Sequence, residues 1–255
     1  MLKPRLIPCI LIEDGLVVKT TKFKNSVYIG DPINIVKIFN EKEVDEICVF
    51  DISASRNYVE PNFELIGELA KQSRMPLCYG GGIKTYEQAE RISNLGVEKI
   101  ALSSVIFENI NVVAQISDRL GLQSVVIVLD VQKRLLGGYD IYIKNGKINT
   151  KIDLFTFLKN ISSLPYGELI INSIDLDGTQ NGYDIALVRK VIDLTSKPIT
   201  VLGGASTLAD ISKLFNEFKI IGAGAGSLFI FKGKYKAVLI NYPTKEEKKK
   251  LYCNI

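Results

Sequence analysis

VFDIS at 49–53 followed by YGGGI at 79–83, and SIDLDG at 173–178 followed by LGGAS at 202–206, are two copies of one pattern. In each copy an apolar strand-like run closes on aspartate, and a second such run opens into a glycine turn. A glycine turn after a strand presents backbone N–H groups to an anion, so the duplication predicts two phosphate seats facing each other across two similar halves.

Working outward, short β-branched runs alternate with amphipathic stretches along the whole chain. The strand candidates are 5–12, 46–52, 76–80, 99–104, 124–131, 168–175, 198–204 and 219–224. Between them, PNFELIGELAKQSR, TYEQAERISNLG, NVVAQISDRLG, DIALVRKVIDLTS and TLADISKLFNEF carry apolar residues at three- and four-residue spacing, with Thr85 and Asp184 placed as N-caps. Eight strict βα units predict a single (β/α)8 TIM barrel of two similar half-barrels, one domain spanning 1–255, close to the typical length of about 250 residues for that fold. A doubly wound open sheet is the alternative, and the similarity of the halves favours closure.

Composition narrows the chemistry. No apolar run approaches the roughly eighteen residues of a membrane span, and the short apolar stretch near the start meets Glu13 and Asp14 too soon for a signal peptide. A cytoplasmic protein is expected. The four cysteines, Cys9, Cys48, Cys78 and Cys253, form no CxxC pair, which argues against a disulfide framework or a zinc site. Histidine is absent altogether, which removes histidine triads, imidazole shuttles and histidine-ligated metals. No metal or cofactor is expected, and acid/base work falls to carboxylates, lysines, tyrosines or cysteines. The net charge of +4 owes much to KEEKKK at 245–250, a solvated helical segment, and no basic stripe with interleaved aromatics points to nucleic acid.

Function in such a barrel sits at the C-terminal ends of the strands. Gly80, Gly81 and Gly82 after strand three and Ser103 and Ser104 after strand four form the first candidate seat. Asp177, Gly178 and Thr179 after strand six, Gly203, Gly204 and Ala205 after strand seven, and GAGAGS at 222–227, with Gly226 and Ser227, form the second. Asp130 closes strand five in VLDV and faces the mouth, where a partly dry cleft raises a carboxyl toward useful acid/base work. Asp51 and Asp175 hold matching places in the two halves, either orienting a ligand or knitting strand ends together.

These segments resemble the cyclase subunit (HisF) of imidazole glycerol phosphate synthase. The resemblance rests on RLIPCILIEDGLVVK, GDP at 30–32, FDISAS at 50–55, GGGI at 80–83, VLDV at 128–131, SIDLDGTQNGYD at 173–184 and GGA at 203–205, and it covers nearly the whole chain. It implies a (β/α)8 barrel that pairs with a glutaminase subunit as a heterodimer, receives ammonia from it, and uses the ammonia on a ribulose-linked bisphosphate. It further implies that Arg5, Glu46, Lys99 and Glu168, each at the start of a strand, form the ring of charges through which ammonia enters; a stabilising ion-pair ring is the plainer reading of the same four residues. Lys19, after strand one, matches a family lysine that meets substrate.

Two departures stand out. The family's catalytic aspartates close strands one and five; strand five keeps Asp130, but strand one has Leu11, in PCILIEDG where the family reads PCLDV-DG. Ser103 stands where the family commonly has asparagine. The expectation is a paralogue supplying ammonia for a different amination, of the kind that serves surface-sugar (acetamidino) biosynthesis. Ordinary imidazole glycerol phosphate synthesis by Asp130, alone or aided by Glu13, and a non-catalytic ammonia conduit that activates its glutaminase are the other two readings.

Overall fold

Along the first strand the side chains alternate between two apolar environments, so the strand is buried on both faces, as a parallel barrel requires. Leu6, Ile10 and Ile12 pack outward against helices, whereas Ile7 and Cys9 belong to an inner cluster with Cys48, Cys78, Ala101, Val126, Val128, Ile170 and Leu202. A computed structural model describes residues 3–252, so Cys253 and the first two residues lie outside the described residues.

The eight barrel strands are β1 (Arg5–Glu13), β2 (Ile47–Asp51), β3 (Leu77–Gly80), β4 (Lys99–Leu102), β5 (Val125–Lys133), β6 (Glu168–Ser173), β7 (Ile199–Leu202) and β8 (Gly222–Ala225). Each pairs in parallel with its neighbours, and β8 closes on β1 through Arg5 opposite Gly222. The chain is a closed (β/α)8 barrel, and each of the eight strands overlaps a predicted run, with β1, β5 and β8 extending one or two residues beyond it. The predicted helices form as well, at Phe63–Gln72, Tyr86–Asn94, Asn111–Leu120, Ile185–Ile192 and Leu208–Phe218, with Thr85 and Asp184 accepting the N-cap hydrogen bonds expected of them.

The strict βα alternation fails at two symmetric places. After β1 the chain runs through an antiparallel ribbon, Leu16–Thr21 with Lys24–Gly30, before the helix Pro32–Glu41. After β5 it does the same through Tyr139–Ile143 with Ile148–Asp153 before the helix Leu154–Asn160. The ribbons meet above the barrel, where Gly146 of the second lies so close to the Phe23 ring of the first that a Cβ there would sit 2.8 Å from it.

At the opposite end a ring of charge closes the barrel. The Arg5 guanidinium contacts Glu46 at 2.5 Å and Glu168 at 2.7 Å; the Lys99 ammonium lies 2.8 Å from each of the same two carboxylates. Thr200 donates a further hydrogen bond to Glu168 at 2.6 Å. Burial works against charge on Arg5 and Lys99, but the two glutamates outweigh it and raise both. Burial pushes Glu46 up; for Glu168 it is overcome by Arg5 and Lys99, which hold that carboxyl down.

Removing one member strands a buried charge. Lys99→Ala is expected to cost about 3–5 kcal/mol in urea denaturation, whereas Lys71→Ala, which breaks an exposed pair with Glu68, costs under about 1 kcal/mol. Equal costs for the two would show that the ring carries no special energetic weight.

Candidate active site

The strand ends opposite the charge ring surround a cavity of about 110 Å³. Leu11, Phe50, Gly80, Val128, Asp130 and Asn172 line its floor and walls, and Cys9 and Leu202 connect it to the inner cluster. A smaller cavity adjoins it, sharing Lys19, Asp177 and Leu202.

Asp130 and Asn172 are opposite each other in the β5–β6 register. Strand alternation carries Val126, Val128 and Asp130 along the inward face of one strand and Glu168, Ile170 and Asn172 along the inward face of the next. Asn172 Nδ2 donates to Asp130 Oδ1 at 2.9 Å, while the buried Asn172 Oδ1 has no donor among the described residues. Burial pushes the Asp130 carboxyl up to about 7; the Asn172 hydrogen bond opposes the rise and the negative charge of Asp177 adds to it. A carboxyl at that value exchanges its proton readily at neutral pH.

The remaining carboxylates of the main cavity are committed elsewhere. Asp51 caps the helix Ile52–Asn57 through Ala54 N–H and accepts from the Ser53 hydroxyl. Glu108 pairs with Lys144 at 2.7 Å, and Asp177 accepts from the Thr20 hydroxyl at 3.0 Å. Asp175 accepts from Gln132 and from the Lys133 N–H, so Asp51 and Asp175 both tie strand ends to their surroundings. Leu11 shares the cavity with Asp130 and offers no proton-transferring atom. Glu13 does not line it. The Ser26 hydroxyl and the Arg56 guanidinium, 2.5 Å away, hold Glu13 below the usual carboxylate range.

The residues of the two expected anion seats lie in two separate places. Gly81, Gly82, Ser103 and Ser104 converge at one side of the main cavity. Asp177, Gly178, Gly204, Ala205, Gly226 and Ser227 line the smaller cavity together with Lys19. Two glycines are irreplaceable for the same reason in the two halves. Gly81 has φ +134° and a Cβ there would fall 2.5 Å from the Asp51 carbonyl oxygen; Gly204 has φ +104° and would meet the Gly182 carbonyl oxygen at 2.0 Å. Lys19 is buried beside Gly226, with no ion pair or hydrogen bond to its ammonium among the described residues.

Sequence reading missed Asn172, Lys144 and Lys84 in the cavity wall. Asn172 was findable, because it precedes the serine of SIDLDG on the inward parity of Glu168. Lys144 was findable from the Asn145-Gly146 turn between alternating runs, a strong hairpin signal.

The fold and this site define a (β/α)8 barrel of two half-barrels, with one half-buried carboxyl at the mouth between two glycine-built concavities. Residues 5–236 match the family described as histidine biosynthesis protein. A Vibrio vulnificus protein named putative imidazole glycerol phosphate synthase subunit hisF3 is 53% identical over 98% of this chain and 96% of its own. The similarly named hisF2 of Pseudomonas aeruginosa is 45% identical over 95% and 97%, and the Lactococcus lactis imidazole glycerol phosphate synthase subunit HisF is 37% identical over 90% and 89%. The chain belongs to the histidine biosynthesis protein family and, within it, is of the HisF type.

The Asp130 environment predicts a pH signature. Its folded-state value lies above that of a free carboxyl, so folding takes up a proton between about pH 4 and 7, and stability falls across that window as pH rises. Asp130→Asn removes this dependence, and its Tm advantage over the parent is expected to grow from pH 4 to 7 and then level off. In an Asn172→Ala background the levelling moves to higher pH, because the hydrogen bond that favours the carboxylate is gone. A Tm difference that is the same at pH 5 and pH 8 rules out the raised value.

Proposed function

We propose that this protein is a synthase subunit that takes ammonia from a glutaminase partner and uses it, at Asp130, to aminate a phosphorylated small molecule in the cytoplasm. The observation that carries the reading is the single inward line of side chains. The ring of Arg5, Glu46, Lys99 and Glu168 at the base leads into an apolar interior, and the first polar groups beyond it are Asn172 and Asp130. Ammonia is small, uncharged in its free form, and suited to an apolar route that excludes ions.

Asp130 is placed to accept the proton that an attacking ammonia must lose as its C–N bond forms. The seats around Gly81–Ser104 and Gly204–Ser227, with Lys19, are suited to the phosphate ends of the acceptor. Each substrate phosphate would be held by backbone N–H groups and hydroxyls, with the Lys19 ammonium added at the second seat.

Leu11 favours amination over ring closure. Cyclisation in the HisF manner calls on two carboxyls, and a missing acid/base group costs on the order of 10²–10⁴ in rate. Glu13 is a poor replacement, since Arg56 and Ser26 occupy it and it stands outside the cavity. An amination serving surface-sugar (acetamidino) biosynthesis fits this deficit. Imidazole glycerol phosphate synthesis is the second reading, favoured by the 37% identity to the Lactococcus lactis HisF subunit.

Turnover of the imidazole glycerol phosphate synthase bisphosphate with ammonium salt separates the two. The parent is expected to cyclise it negligibly, while Leu11→Asp raises that rate by on the order of 10²-fold. Full turnover by the parent would make it a working cyclase and sink the amination reading. Asp130→Asn is expected to abolish every ammonia-dependent step while the protein stays folded. The partner claim is tested by co-purification with a co-expressed glutaminase; a protein that stays monomeric in its presence counts against an ammonia route.

A further inference from the structure

The half-barrel symmetry extends to a pair of buried lysines. Each ribbon crosses the mouth and delivers one buried lysine to the concavity built by the two strands preceding it around the barrel. The ribbon after β1 brings Lys19 against Gly226, beside β7 and β8. The ribbon after β5 brings Lys144 to the turn that follows β4, where the Lys144 N–H donates to the Ser104 hydroxyl at 3.0 Å.

Lys144 is held there by several independent contacts. Its side chain is only 8% exposed, its ammonium lies 2.7 Å from Glu108 Oε1, and it sits 4.3 Å from the centre of the Tyr58 ring. Tyr58 is itself in the left-handed region, at φ +59°, and Lys84 donates to its carbonyl oxygen at 3.3 Å. Lys144 and Asn145 both have φ +55°, a left-handed conformation that is common for asparagine and uncommon for lysine. A buried lysine on a strained turn is difficult to account for by packing alone.

The partner of that lysine is the informative part. Glu108 is about half exposed, with 45% of its side chain accessible, and it lies on the same connection as Ser103 and Ser104. A half-exposed carboxylate can turn back to water once a stronger anion takes its place on the lysine. A phosphate monoester brings nearly twice the charge and three acceptor oxygens.

We propose that Lys144 is the anion-binding lysine of the seat formed by Gly81, Gly82, Ser103 and Ser104, and that Glu108 is its exchangeable counter-ion. The ligand class is the phosphate monoester end of a sugar-phosphate-type molecule. On binding, the phosphate takes the place of the Glu108 carboxylate on the Lys144 ammonium, and Glu108 turns out to solvent. Lys19 plays the corresponding part at the other seat without a carboxylate competitor. The inference rests on the phosphate-seat reading of the preceding section and adds the residue pair that sets affinity at one end.

Isothermal titration with inorganic phosphate at pH 8 and low chloride tests it. The parent is expected to bind two equivalents. Lys144→Met loses one of them, its affinity falling roughly tenfold or more, and Lys19→Met loses the other. Glu108→Gln tightens one site by about three- to fivefold, because no carboxylate has to be displaced. A purely structural Lys144–Glu108 pair predicts the reverse, weaker binding in Glu108→Gln through a loosened turn. Unchanged binding in Lys144→Met, or unchanged or weaker binding in Glu108→Gln, overturns the inference and leaves the seats standing. No phosphate bound by the parent overturns the phosphate-seat reading itself, and this inference with it.

Discussion

A strand buried on both faces has no free choice of side chain, and this constraint organises the whole molecule. On β1, outward Leu6, Ile10 and Ile12 attach the sheet to its helices, while Arg5, Ile7, Cys9 and Leu11 descend the interior in steps of two. The interior is therefore layered by depth: charge at the base, small apolar and thiol groups in the middle, and polar chemistry at the mouth. A one-residue slip of register would drive Arg5 outward among aliphatic residues and Leu6 into the charge ring. The ring in turn is viable only as a set, since each buried carboxylate has both cations within 3.2 Å.

The mouth is assembled by fasteners more than by catalytic groups. In SIDLDGTQNGYD, Asp175 holds the end of β5, from which the second ribbon springs, through Gln132 and Lys133, and Asp177 holds the first ribbon through Thr20 and Lys22. Tyr183 donates to the Gly224 carbonyl oxygen at 3.0 Å, and Asp184 both caps a helix and accepts from Tyr139. One twelve-residue segment thus sets the position of both ribbons, of β8 and of the turn at Gly204. Its sequence specificity follows from how many elements it must satisfy at once.

The strands were legible because their apolar runs are continuous and end at glycine or aspartate; the helices were legible from spacing and from caps such as Thr85. The ribbons were not, since Leu16–Thr21 and Ile148–Asp153 mix lysine and threonine with their apolar residues, and Ile148–Asp153 has no buried residue to mark a face. At the candidate site, Asp130 and the glycine turns could be read locally, because strand parity and φ are local properties. The Lys144–Glu108 pair and the Glu13–Arg56 pair could not. Each joins residues far apart in sequence, 36 and 43 positions by their numbers, through a ribbon or helix whose placement depends on the closed barrel.

The contrast between Leu11 and Asp130 gains meaning from the geometry around it. Among the cavity's four carboxylates, Asp51 and Asp177 are tied into the frame by hydrogen bonds, and Glu108 serves as the counter-ion of Lys144. Asp130 has only the Asn172 amide, and that amide keeps one buried acceptor unmatched among the described residues. A site with one mobile proton suits a step in which a nucleophile loses one proton as it adds. The surrounding half-barrels retain their two-fold likeness in the glycine turns, the ribbons and the lysines. Within that likeness Leu11 and Asp130 differ in the property that the proposed proton transfer needs, a group able to accept a proton.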